Sequence, residues 1–281
     1  MDLTTISSSQ ETRATSLVNR LMTNSKRFES FEALKNGSIS TRKEVIHQLE
    51  MFGFSLLSIE NPDLVHGLQS GLSAAEALKS FRFPPINVSE VKYDQPERDA
   101  FRSLYTIAVS TLAALQGDRS HLEAPESELF SASPDEPLDP SHPLSATFFN
   151  LFNYDHGALN AHQDRGLVTI ICVAPPEENT DRSSLWIKGA DELWRSADES
   201  VFSVSRSLQN PQDQMLVILL VGEQGEILLR DKYPQLFAAE HCVRVRPEGP
   251  FIERSHHVPD PESLTSGNRI STALILRAAT E

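Results

Sequence analysis

His162-Gln163-Asp164, and far downstream His241 and Arg269-Ile270-Ser271, are the residues of this 281-residue chain whose types and spacing could do chemistry. Two imidazoles and one carboxylate form a donor set that holds ferrous iron on one face and leaves the opposite coordination positions open. Residues i and i+2 of a strand share a face, so His162 and Asp164 would point one way and Gln163 the other. His241 must then arrive from a different strand. A lone HxD pattern also arises by chance, its ordinary alternative being a capped turn with a surface histidine. Arg269 adds weight. It shares a strand face with Ser271, Ala273 and Ile275, which turns its guanidinium inward, where it is costly unless it meets an anion. Two anions would satisfy it: the far carboxylate of an organic acid co-substrate, gripped with help from Ser271 and Tyr154, or an internal Asp or Glu.

The elements that must position these side chains change texture along the chain. Over 13–117 the apolar spacing is helical: Leu17 and Leu21, then Val45, Leu49 and Phe52, then Phe101, Leu104, Tyr105, Ala108, Val109, Leu112 and Leu115. The last group predicts a long amphipathic helix that begins after Pro96 and stops at Gly117. Residues 119–144 are rich in Pro, Ser and acidic side chains and read as a loop or lid. Beyond Ser145 the period becomes two. Phe148, Asn150, Phe152 and Tyr154 share one strand face, 167–173 is a nearly continuous apolar strand, and 185–188 with 193–195 flank Gly189-Ala190-Asp191 as a hairpin. Residues 215–221, 226–229, 241–245 and 269–276 supply further strands. Many short strands with no helices between them predict a two-sheet antiparallel jelly roll. The expected fold is an all-β core, a double-stranded β-helix, with an α-helical N-terminal region, α+β overall. Its divisions are 1–118 (helical, packing on the core), 119–144 (lid) and 145–281 (jelly roll).

Composition narrows the partners. An apolar content of 39% supports one large core. The net charge of −14 opposes nucleic acid and anionic bilayers, since binding either rests on clustered cations. The apolar runs are far shorter than the ~20 residues that span a bilayer, and 1–30 is too polar for a signal-peptide core. A small-molecule substrate, a monomer, and a cytoplasmic location with nuclear entry by diffusion are the expectations. Cys172 and Cys242 form no CxxC pair and read as reduced packing residues.

On these residues the chain resembles the 2-oxoglutarate and Fe(II)-dependent oxygenases of the isopenicillin-N-synthase-like type, mainly over 148–277. Asn153-Tyr154 sits where that family has a tyrosine holding 2-oxoglutarate, and 161–170 is similar to its first metal strand. Leu185-Trp186-Ile187-Lys188 with Trp194 is similar to its hairpin. Gly222-Glu223 stands in for a Gly-Asp, Glu240-His241-Cys242-Val243 resembles the strand bearing the last ligand, and Arg269-Ile270-Ser271 matches the co-substrate motif. Upstream, Phe52-Gly53-Phe54-Ser55-Leu56 resembles the family's Gly-Phe-Phe segment without the His-Gly that usually follows.

The resemblance implies Fe(II) held by His162, Asp164 and His241, with 2-oxoglutarate bound through Arg269, Ser271 and Tyr154 and ascorbate as an auxiliary reductant. It implies oxidation of a small organic substrate, above all hydroxylation, coupled to conversion of 2-oxoglutarate and O2 into succinate and CO2. Phe152 and Leu167, with the lid, would shape the substrate pocket. Two intervals depart from the family: Asp164 to His241 and His241 to Arg269 are both longer than usual. The surplus in the first would lie in 177–183 and 196–212, and an insertion over 247–268 would explain the second. That insertion contains His256 and His257, either of which is an alternative third ligand. Desaturation, ring closure and demethylation remain open as outcomes, as do an iron oxidase that does not use 2-oxoglutarate and a catalytically silent jelly-roll homologue acting as a binding protein.

Overall fold

The structure, a computed structural model, describes residues 28–77, 95–117, 147–154, 159–175, 180–181, 183–206, 213–244, 249–251, 265–266 and 269–278. The expected lid at 119–144, His121, His142 and His156, and His256 and His257 lie outside these residues.

Strands β1 (Glu29–Ser30), β2 (Ser55–Ile59), β3 (Phe148–Tyr154), β5 (Val168–Val173), β9 (Met215–Val221) and β12 (Arg269–Leu276) form a six-stranded sheet in the order β1-β2-β9-β5-β12-β3. Strands β4 (Leu159–His162), β7 (Ser184–Lys188), β8 (Trp194–Ser196) and β10 (His241–Arg244) form a second sheet in the order β4-β10-β7-β8. Short β6 (Thr180–Asp181) and β11 (Thr265–Ser266) pair with each other in parallel. Apart from that pair and the parallel β1–β2 contact, neighbouring strands run antiparallel. The result is a jelly-roll core.

Alternation along the strands explains why the large sheet is apolar on both faces. In β9, Val217, Leu219 and Val221 join one buried cluster, while Leu216, Ile218 and Leu220 join another. In β5 the split is Val168, Ile170 and Cys172 against Ile171 and Val173. The first cluster is shared with helices α1 (Phe31–Lys35), α2 (Ile39–Phe52), α3 (Pro62–Glu76) and α4 (Gln95–Gln116), which cover the outer face. The second includes Leu185, Ile187 and Val243 of the small sheet and lies between the sheets. Each such side chain contributes about 1.5–3 kcal/mol by leaving water, so the continuous apolar runs are what a doubly covered sheet requires.

Local signals set the helix boundaries. Asn61 caps α3 through its side-chain oxygen to the Asp63 and Leu64 amides, with Pro62 at the first position. Gly53 ends α2 at φ 77°, a conformation that a side chain rarely adopts, and turns the chain into β2. Helix α4 starts at Gln95, one residue before the proline expected to precede it, and is followed by Gly117 at φ 71°. The N-terminal region is therefore not purely helical, because it donates β1 and β2 to the large sheet.

Two segments differ from the sequence reading. Residues 226–229, expected as a strand, belong to helix α6 (Glu223–Leu229), where Glu223 and Glu226 in the first turn favour the positive end of the helix dipole. Helix α5 (Ala197–Ser205) occupies part of the polar stretch read as surplus loop. Ser196 caps it, its hydroxyl accepting from the Glu199 amide at 3.1 Å. The sequence predicts strands with no helices between them; α5 and α6 interrupt that run. No described helix is long and apolar enough to cross a membrane.

Candidate metal centre

The end of β4 and the start of β10 build the site. His162 and His241 are register partners across these strands, and a register shift follows between His241 and Val243. The rings lie 4.3 Å apart between centroids. Asp164 comes two residues after His162, beyond the end of β4, in the short connection to β5. Ligand-capable atoms of His162, Asp164 and His241 all lie within 4.8 Å of one another, the one such group of three or more among the described residues.

Hydrogen bonds orient each donor. His162 Nδ1 lies 2.8 Å from the Asn160 carbonyl and His241 Nδ1 lies 3.1 Å from the Ala239 carbonyl. A carbonyl only accepts, so both Nδ1 atoms carry a hydrogen, and in the neutral ring each Nε2 then keeps a free lone pair. Those Nε2 atoms face the same carboxylate: His162 Nε2 is 3.7 Å from Asp164 Oδ1, and His241 Nε2 is 3.6 Å from Asp164 Oδ2. Both separations exceed hydrogen-bond length, and they suit donors gathered round a common centre. Thr169 donates to Asp164 Oδ2 at 2.6 Å within the buried interior, fixing the carboxylate plane. Gln163 turns away and donates to the Ala238 carbonyl at 2.6 Å.

The backbone under Asp164 is clamped as well. The Glu223 amide donates to the Asp164 carbonyl at 2.8 Å. A Cβ at Gly222 would run into the carbonyl oxygens of Gly166 and Asp164, so the tight approach of β9's end to the metal loop requires glycine there.

Electrostatics favour a cation. Asp164 and His241 are buried, whereas His162 is partly exposed at the mouth. Burial pushes the His241 imidazole below its ordinary range, against the pull of Asp164 and with the help of His162. A neutral imidazole is the form that ligates a metal. The donor set, the free Nε2 pairs and the supported carboxylate fit a divalent ion of the Fe(II) type.

Arg269 is where the sequence placed it but not with the partner a co-substrate anchor needs. It is buried and shares an inward face with Ser271 and Ala273, the latter in the inter-sheet cluster. Its Nε donates to Asp198 Oδ2 at 2.6 Å, its Nη2 to Asp198 Oδ1 at 3.0 Å and its Nη1 to Ser271 Oγ at 2.7 Å. Of the two anions open to it from sequence, the structure shows the internal one. Asp198, on the first turn of α5, also accepts from the Leu185 amide at 3.2 Å. Sequence reading missed Asp198 and Thr169. The Ser-Ala-Asp-Glu start of α5 carries a capping pattern that reveals the helix, but no signal tells which carboxylate reaches Arg269. Tyr154 is the backbone partner of Arg269 in the β3–β12 register.

The remaining candidates have ordinary roles. His47 and His66 are exposed on helices. Lys188 pairs with Glu192 at 2.5 Å and Glu240 at 3.6 Å, and Arg230 with Glu226 at 3.0 Å. Lys232 donates to the Gln116 carbonyl at 2.6 Å. Phe152 packs against the inter-sheet cluster, whereas Leu167 belongs to the helix-side core. Cys172 and Cys242 are buried, and neither forms a disulfide.

No protein-family model and no curated protein matches the chain. Among solved structures it is similar to a candidate 2OG-Fe(II) oxygenase family protein from Caulobacter crescentus, at 13% identity and TM-score 0.52, with 90% of this chain and 86% of that chain covered. It is also similar to the dioxygenase for auxin oxidation 1 from Arabidopsis thaliana in its complex with 2-oxoglutarate, at 14% identity and TM-score 0.47 (86% and 89% covered). A third match is a candidate oxygenase from Shewanella oneidensis, at 17% identity and TM-score 0.46 (86% and 88% covered). The likeness to the Caulobacter crescentus protein identifies the fold.

Proposed function

We propose that this protein is an Fe(II)-dependent oxygenase that oxidises a small organic molecule, above all by hydroxylation, with a 2-oxo acid as co-substrate. The observation that carries the reading is the convergence of His162, Asp164 and His241, with both Nε2 lone pairs and a supported carboxylate directed at one point. The fold shared with a protein described as a candidate 2OG-Fe(II) oxygenase points the same way. Bound there, iron would supply O2 activation, and a 2-oxo acid would be converted to CO2 and the acid one carbon shorter, succinate in the case of 2-oxoglutarate, alongside the oxidised substrate. The chain's own residues supply position and dryness. The Asn160 and Ala239 carbonyls hold the two imidazole tautomers, Thr169 holds the carboxylate, and the partly buried Phe152 and Leu159 pack on an apolar interior that excludes water. A net charge of −14 supports a small molecule in place of nucleic acid.

A second reading, favoured by the occupied guanidinium of Arg269, is an iron oxidase that needs no 2-oxo acid. One experiment separates them. The chain is incubated with Fe(II), O2 and a metabolite extract, with and without a set of 2-oxo acids, and products are read by mass spectrometry. New oxidised species that need a 2-oxo acid and vanish in His162→Ala support the first reading. Products formed without any 2-oxo acid support the second, and no product in either case refutes both.

A further inference from the structure

We propose that Asp198 sets the class of co-substrate: it takes the place at Arg269 that the far carboxylate of a dicarboxylic 2-oxo acid would need, so the site accepts a 2-oxo acid with an uncharged tail. The inference rests on the oxygenase reading above and specifies its co-substrate.

Position comes first. Strands β7 and β10 pair with His241 opposite Ile187 and Val243 opposite Leu185. The Asp198 carboxylate is bonded to the Leu185 amide, which lies one strand over from His241 and two residues along β7, roughly 8 Å away between backbone positions. Arg269 and Ser271 reach that point from the facing sheet, on the inward face that carries Ala273 into the inter-sheet cluster. The pair therefore borders the same inter-sheet interior as the β10 strand that carries His241.

Occupancy comes second. Each of the three guanidinium nitrogens of Arg269 already donates to a protein acceptor, two of them to Asp198 in a bidentate pair. Arg269 and Asp198 are both buried. A second carboxylate arriving here would find the positive charge already matched and a like charge beside it in a poorly screened interior.

Rigidity comes third, because a loosely held Asp198 would simply give way. Ala197, Val201 and Val204 of α5 are buried in the inter-sheet cluster, Ser196 caps the helix, and the Ser184 and Ser196 hydroxyls lie 2.6 Å apart across β7–β8. Moving Asp198 off Arg269 would unseat this packed face. The surroundings of the pair, Phe152, Leu159, Leu185 and Val243, suit an alkyl or aryl tail.

The test compares 2-oxoglutarate with 2-oxopentanoate, which carries a methyl group where 2-oxoglutarate has its far carboxylate. Both are titrated calorimetrically and anaerobically into the Fe(II)-loaded full chain. The expected result is binding of 2-oxopentanoate on the order of tenfold tighter than 2-oxoglutarate, with Asp198→Asn reversing the order by admitting the second carboxylate to Arg269. Tighter binding of 2-oxoglutarate by the unsubstituted chain, or equal binding, overturns the proposal and leaves the oxygenase reading standing. No binding of either acid by chain that holds iron overturns both. The comparison in the unsubstituted chain needs no variant, so it decides the matter even where Asp198→Asn does not fold.

Discussion

Replacing Arg269 by Met should destabilise the protein far more than replacing Arg269 and Asp198 together. Both side chains are about as buried as any in the core, at 2% and 1% relative exposure, and they meet through two hydrogen bonds of 2.6 and 3.0 Å. Removing one partner leaves the other's charge uncompensated in the interior, a loss of about 3–5 kcal/mol. Replacing both by apolar residues of similar volume removes the desolvation cost along with the attraction, so Arg269→Met with Asp198→Leu should lie within about 2 kcal/mol of the parent chain. For a domain of this size, about 4 kcal/mol corresponds to a fall in Tm on the order of 10 °C. Urea denaturation of the parent, both single variants and the double variant closes the cycle. A single-variant loss below about 1 kcal/mol would refute the buried pair, since pairs in contact with solvent give values of that size. A double variant as unstable as the two losses combined would show that the two residues do not act on each other.

Thr169→Val, which removes the 2.6 Å donor to Asp164 while keeping the shape, should weaken Fe(II) or Mn(II) binding about tenfold; unchanged calorimetric affinity would contradict the support assigned to it. Gly222→Ala should weaken metal binding about 10–100-fold by forcing the Asp164 backbone outward, and a crystal structure of the variant with Asp164 unmoved would contradict this. Burial pushes the Cys172 thiol up to about 12 from an ordinary 9.0. The thiol stays protonated in the folded chain while the unfolded chain ionises, so stability is intact below pH 9 and is lost as pH climbs toward 12. Cys172→Ala should flatten that alkaline loss in pH-dependent urea melts. An equally steep loss in the variant would rule out this thiol as the cause.

What was legible in the sequence had a local cause. The runs in β5 and β9 stand out because a sheet covered on both faces must be apolar at every position, and the helical spacing of Phe101 to Leu115 reports the face of α4 turned to the sheet. The inward Arg269 follows from strand alternation, whereas the HxD pair converges with Asp164 already past the end of β4. What was hidden depends on long-range pairing or on competing signals. Helix α5 begins with Ser, Asp and Glu, which read as polar loop until the cap is recognised. Residues 226–229 look like strand by composition, yet Ile227 and Leu228 are exposed on a helix whose start is fixed by Gly222 and two acidic residues. Asp198 stands far from Arg269 in sequence, and no periodicity in either segment announces their meeting.

The central claim is a three-donor metal centre, and cobalt titration tests it most directly. Co(II) added anaerobically to the full chain should give visible ligand-field bands that saturate at one ion per chain. His162→Ala, Asp164→Ala and His241→Ala should each abolish them, while His256→Ala and His257→Ala leave them in place. Stoichiometric bands that persist in His241→Ala would contradict the account.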